Sequence, residues 1–122
     1  QVVIYCGEND LAASDTVSAA TVAQRFITLF NMIRDRYPKI PVLYVSMKPS
    51  PSREHLMHKM DAGNWAIEEF LKKQKRTMYV DAYHLMLDAN GEPRKELFIN
   101  DMLHMNKNGY AIWQKAIGPY LK

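Results

Sequence analysis

Ile40-Pro41-Val42-Leu43-Tyr44-Val45-Ser46-Met47 places large apolar side chains at successive positions, leaving neither face of the segment for water. A strand inside a parallel sheet, covered by helices on both sides, has that composition; a half-exposed strand alternates instead. Upstream, Val22, Phe26, Leu29, Phe30, Ile33 and Tyr37 recur at steps of three and four after Ser18, the period of an amphipathic helix. Pro38 ends it, because the residue before a proline is pushed out of helical geometry. Further upstream, Gln1-Val2-Val3-Ile4-Tyr5-Cys6-Gly7 is a second apolar run of the same two-faced kind. Downstream, Met47-Lys48-Pro49-Ser50-Pro51-Ser52 has loop chemistry, and Ser52 is placed to cap a helix. That helix carries Leu56, Met60, Gly63, Ile67, Phe70 and Leu71 on one side. It ends in Lys72, Lys73, Lys75 and Arg76, where cations favour the helix dipole. Thr77-Met78-Tyr79-Val80-Asp81 reads as a third strand, Asp88–Pro93 as a turn, and Asn106 to Leu121 as the last helix.

The order β-α-β-α-β-loop-α predicts a three-layer α/β/α sandwich with a parallel sheet and right-handed crossovers. Residues 1–122 make one domain by this reading, without repeats or a linker. A two-faced apolar strand at residue 1 has little chain before it to pair with or cover it. The expectation is therefore a fragment whose first strands are missing. Hydrophobic residues at 48% and charged residues at 24% exclude a disordered or coiled-coil chain. No run approaches the roughly 18 apolar residues of a membrane span. A net charge of +3 is too mild to imply nucleic acid as a partner. One cysteine, Cys6, excludes an internal disulfide, and its strand neighbours make it read as a small buried hydrophobe. The sequence specifies no oligomeric state.

In open parallel sheets, ligands bind outside the carboxyl ends of the strands. Three segments fall there: Gly7-Glu8-Asn9-Asp10, the Lys48–Arg53 loop, and Asp101-Met102-Leu103-His104 before the last helix. Gly7-Glu8-Asn9-Asp10 resembles the Gly-x-Asn-Asp block of the SGNH (GDSL-type) esterases and lipases. Asp101-Met102-Leu103-His104 resembles their Asp-x-x-His block. Both occur in the family's order and setting, with about ninety residues of alternating α/β between them. The family's Gly-Asp-Ser block, which carries the nucleophile, and the block supplying an oxyanion glycine are not in the sequence. Both would belong upstream of Gln1.

The resemblance implies a flavodoxin-like SGNH hydrolase fold, of which residues 1–122 are the C-terminal part. It implies a carboxylic ester hydrolase working without metal or organic cofactor through a Ser-His-Asp triad. His104 would be the general base, since imidazole titrates near neutral pH. Asp101 would hold the other ring nitrogen, with the two residues one turn apart. Asn9 would donate its amide N–H to the developing oxyanion. Gly7 would let the backbone turn at the strand end, Asp10 would hold that loop in shape, and Met105, with Met102, would line the acyl pocket. Substrates implied are small acyl esters, lysophospholipids or acetylated carbohydrates. A secreted or periplasmic location is what the resemblance favours.

Each residue also has a plainer reading. A strand-end Asn-Asp pair commonly makes a turn or helix cap, Asp101 can cap the turn into the last helix, and His104 can be a bonded core histidine. His55-x-x-His58 with Asp61 has a metal-like spacing, but lacks further ligands nearby and reads as solvent-facing. His84 reads as structural. Ser14, Ser18, Ser46, Ser50 and Ser52 lack a nucleophile's context. Two rival functions remain at this stage: a non-catalytic α/β binding or assembly module, and a nucleotide binder, the latter disfavoured by the absence of a glycine-rich phosphate loop.

Overall fold

The computed structural model describes residues 1–122. Three short strands, β1 (Val2–Ile4), β2 (Val42–Val45) and β3 (Thr77–Val80), pair in parallel in the order β1-β2-β3. Val2 stands opposite Val42, and Val42 in turn opposite Thr77. Five helices surround them: α1 (Glu8–Ala13), α2 (Ala19–Arg36), α3 (Met57–Lys72), α4 (Ala82–Leu85) and α5 (Lys107–Ile117).

All four residues of β2 are buried, as its two-faced composition requires. Alternate side chains go to opposite layers. Val42 and Tyr44 join Ile4, Phe26, Phe30, Ile67 and Leu71 in the core beneath α2 and α3. Leu43 and Val45 join Val80 and Ala82 beneath Trp113, Ala116 and Ile117 of α5. The result is the expected α/β/α sandwich. Phe26 meets the Tyr44 ring edge-on, with centroids 4.8 Å apart. Burying each such ring contributes about 1.5–3 kcal/mol, so β2 is the strand around which the layers assemble.

Several expectations shift in detail. Ser18 caps α2, its side chain accepting from the Thr21 N–H. Ser52 does not cap α3. Proline at 51 instead opens a 3-10 turn over Pro51–Leu56, and the Ser52 N–H donates to the Met102 carbonyl across the sheet end. The α3 face carries a polar residue that periodicity passed over. Asn64, 3% exposed, accepts from the Met47 N–H and donates to the Met47 carbonyl, continuing β2's pairing with a side chain. The last helix ends at Ile117 and is followed by a 3-10 turn.

Within residues 1–122, β1 pairs on one side only, with β2, and Val3 is 45% exposed; α5 packs over β2 and β3. Cys6 is exposed, not buried, because it follows the end of β1 and only its carbonyl is engaged, by the Tyr44 hydroxyl. No helix is long and apolar enough to cross a membrane.

Gly7 stands where β1 gives way to α1, with φ +122°, a conformation side chains rarely adopt. A Cβ there would lie 2.9 Å from both Met47 Sδ and Val22 Cγ1. The turn expected at this glycine is thus required twice, by backbone angle and by space. Gly7→Ala is expected to lower stability by roughly 2–4 kcal/mol, read as a drop in urea midpoint at unchanged slope.

Candidate active site

Asn9 belongs to the first turn of α1, where the sequence alone suggested a loop. The helix starts at once because Gly7 reverses the chain and Glu8 is drawn inward. Glu8 is 7% exposed, Lys48 6%. The Glu8 carboxylate accepts from Lys48 Nζ at 3.0 Å and from the Lys48 backbone N–H at 3.0 Å. Both oxygens are thereby used, and the ion pair joins the end of β1 to the loop following β2. Arg53 extends the cluster: its Nη1 donates to Asn9 Oδ1 at 2.8 Å and lies 4.0 Å from Glu8 Oε1. Asn9 Nδ2 makes no hydrogen bond within the chain. Asp10 turns the other way and pairs with Arg25 of α2 at 3.1 Å.

Asp101–His104 is not a helical turn. Met102 adopts left-handed geometry with φ +54°, which costs about 1–2 kcal/mol in a residue other than glycine. Two interactions hold it there, the Ser52 N–H on its carbonyl and its own N–H on the Ile99 carbonyl. The fold-back lets Asp101 Oδ1 accept from the Leu103 and His104 N–H groups, both at 2.9 Å, while Oδ2 meets His104 Nδ1 at 2.6 Å. These bonds to the charged form, the His104 ring foremost, pull the Asp101 carboxyl from its ordinary 3.8 down to about 2. With an ionised carboxylate on Nδ1, the proton of neutral His104 sits on that nitrogen. Nε2 is then left as a base, and it makes no hydrogen bond within the chain.

Behind this turn, the Ile99 N–H donates to the His104 carbonyl, and Phe98 bridges Met105 in antiparallel fashion. Asn106 caps α5 by accepting from Asn108 and Gly109, and its Nδ2 donates to the Glu96 carbonyl.

The two halves meet. Asn9 and His104 line one cleft of about 280 Å³ at the carboxyl ends of the strands, with Glu8, Lys48, Arg53 and Met105. Tyr5, Leu103, Tyr110 and Trp113 form its apolar side, Tyr5 lying edge-on to Trp113 with centroids 4.7 Å apart. Met105 lines the cleft while packing beneath α5 against Met86, Leu97 and Phe98. Met102, expected beside Met105 in the pocket, is no part of the wall. Gly7 and Asp10 shape the approach without lining it.

Sequence reasoning passed over Glu8, Lys48 and Arg53 as site residues. Their position after strand ends was the available signal; which charges would pair was not. It also passed over a second Asp-x-x-His, Asp81-Ala82-Tyr83-His84. There, Asp81 Oδ1 accepts from the His84 N–H at 3.0 Å and Oδ2 meets His84 Nδ1 at 2.7 Å, nearly the same geometry. His84 lies outside the cleft, and its Nε2 is 3.9 Å from Asp61. The motif makes the pair; the cleft distinguishes His104 from its twin.

A family model described as GDSL-like lipase/acylhydrolase matches residues 1–112. Among solved structures, a GDSL-like lipase from Bacteroides thetaiotaomicron superposes with a TM-score of 0.80 at 23% identity, covering 98% of this chain and 60% of that one. A carbohydrate esterase of family 3 from Talaromyces cellulolyticus gives 0.79 at 20% identity, over 98% and 55%. An acetyl esterase holding an acetate ion gives 0.77 at 18%, over 97% and 56%. The chain thus spans rather more than half the length of these structures, and at such identities the likeness is one of fold. No curated protein matches the sequence significantly.

The Asp101 carboxyl is expected to titrate near pH 2 by carbon NMR. Its folded value lies below its unfolded one, so its contribution to stability is complete above about pH 4 and fades as pH falls toward 2. In His104→Ala the midpoint should climb partway back to 3.8, the backbone bonds remaining. A wild-type midpoint at 3.8 contradicts the geometry.

Proposed function

The chain belongs to the GDSL-like lipase/acylhydrolase family, and from that premise we propose that it supplies the base, its carboxylate partner and an oxyanion donor of a serine-dependent carboxylic ester hydrolase. Residues 1–122 form the C-terminal part of the hydrolase domain, and the serine comes from polypeptide upstream of Gln1. The observation that carries this reading is that Asn9 and His104 share one cleft, each with a polar atom uncommitted, Nδ2 and Nε2.

The chemistry follows from those two atoms. The serine hydroxyl attacks the ester carbonyl as its proton passes to His104 Nε2. Asp101, ionised through the working pH range, stabilises the imidazolium and keeps the ring oriented. The carbonyl oxygen becomes negative in the tetrahedral intermediate, and the Asn9 Nδ2–H donates to it. His104 then returns its proton to the leaving alcohol, giving an acyl-enzyme. Water, deprotonated by the same nitrogen, releases the acid and restores the serine. Each bond broken is matched by one formed, and no metal or organic cofactor enters.

A cleft of about 280 Å³ lies just under the range usual for drug-sized ligands. Because the segment carrying the serine adds a further wall, this volume does not bound the acyl group; the substrate we propose is a short acyl ester, acetyl foremost, of a small alcohol or a carbohydrate. The acetyl and carbohydrate esterases of like fold agree with that choice.

In the full-length protein, His104→Ala is expected to lower kcat on p-nitrophenyl acetate by ~10⁴-fold, and Asn9→Ala by ~10²–10³-fold. His84→Ala should stay within about twofold of wild type. Equal turnover by wild type and His104→Ala, with both folded, overturns the assignment.

A further inference from the structure

The Asn9 side chain offers the cleft either a donor face or an acceptor face, depending on which way its amide is turned. Its carbonyl oxygen and amino group are nearly identical in size, so packing alone selects neither. Only the amino face can stabilise an oxyanion; the reversed amide would repel it. What settles the choice is Arg53. Its Nη1–H donates to Asn9 Oδ1 at 2.8 Å, and a reversed amide would set two donors against each other at that distance.

Arg53 is itself held. Its side chain is only 18% exposed, Nη1 lies 4.0 Å from Glu8 Oε1, and Glu8 is anchored in turn by Lys48. The neighbouring Ser52 N–H bonds to the Met102 carbonyl, so one stretch of chain reaches both the amide and the Asp101–His104 turn.

We propose that Arg53 is a positioning residue for the oxyanion donor: held beside the Glu8–Lys48 pair, it fixes the Asn9 amide with Nδ2–H presented to the cleft. The inference rests on the hydrolase reading above and assigns Arg53 no contact with substrate. Arg53 lines the cleft and carries charge, so the alternative is that it binds substrate directly. The two roles separate in kinetics. A residue acting through Asn9 changes kcat with little change in KM, and its removal costs nothing further once Asn9 is gone.

The test is a double-mutant cycle on the full-length protein with p-nitrophenyl acetate. Arg53→Met alone is expected to lower kcat about 10- to 100-fold, in keeping with a misplaced catalytic group, with KM within about twofold. In the Asn9→Ala background the same substitution should cost less than twofold. Arg53→Lys keeps a cation near Glu8 but loses the planar fork, and serves if the Met variant melts early. It should recover part of kcat in the presence of Asn9 and have no effect without it. Equal fold-losses in both backgrounds, or a rise in KM with kcat unchanged, overturns the inference and leaves the hydrolase reading standing. Wild-type kcat in Asn9→Ala alone overturns the oxyanion role on which the inference rests.

Discussion

A carboxylate and an ammonium, both all but removed from water, meet where the first strand ends and the second gives way to its loop. Neither Glu8 nor Lys48 would be tolerable there without the other, because an uncompensated buried charge costs about 3–5 kcal/mol. The pair adds little net stability over apolar residues of like volume; what it supplies is location. Glu8 uses its second oxygen on the Lys48 backbone N–H, so the start of α1 is referenced to the main chain after β2. Asn9, the next residue, inherits that reference.

Around this anchor the cleft is built from short-range decisions. Lys48 is followed by a proline-rich stretch whose 3-10 turn returns the chain past the sheet end, carrying Ser52 to Met102 and Arg53 to Asn9. On the other side, strain at Met102 is stored in a turn held from two directions, and it is repaid in the three bonds Asp101 makes to residues 103 and 104. The imidazole is therefore oriented by a turn and the amide by an ion-pair network. The two supports touch through one loop. A disturbance of Pro51–Arg53 would be felt by both groups even though neither belongs to it.

Much of the fold was legible in the residues. Ile40–Met47 reads as a buried parallel strand because nothing in it suits water, and β2 is buried throughout. Helix α2 is legible from its period, with Ser18 at its start and Pro38 past its end. Less legible were the short helices α1 and α4, whose four to six residues are below the length at which a period can be recognised. Leu29 fits the α2 stripe in spacing yet is 39% exposed, since the stripe follows Ala23 and Phe26 round to the sheet. Cys6 and Val3 belong to apolar runs and are exposed all the same, Val3 on a strand paired on one side only within residues 1–122 and Cys6 just past its end.

The candidate site divides in the same way. Local chemistry by itself put the Asp-x-x-His pairs within reach, because a carboxylate three residues before an imidazole can meet Nδ1, although at 101–104 the turn also leans on the distant Ser52 N–H. It offered the pair twice over, at 81–84 and 101–104, and could not rank them. Glycine at the end of β1 was likewise legible as a point of reversal. Only the tertiary structure decided that His104 and not His84 shares a cleft with Asn9, that Glu8 is neutralised by Lys48, and that Arg53 faces an amide oxygen 44 residues away in sequence. The physical reason is range: hydrogen bonds within a turn are encoded by adjacent residues, whereas the meeting of charges across strand ends depends on the register and layering of the whole sheet.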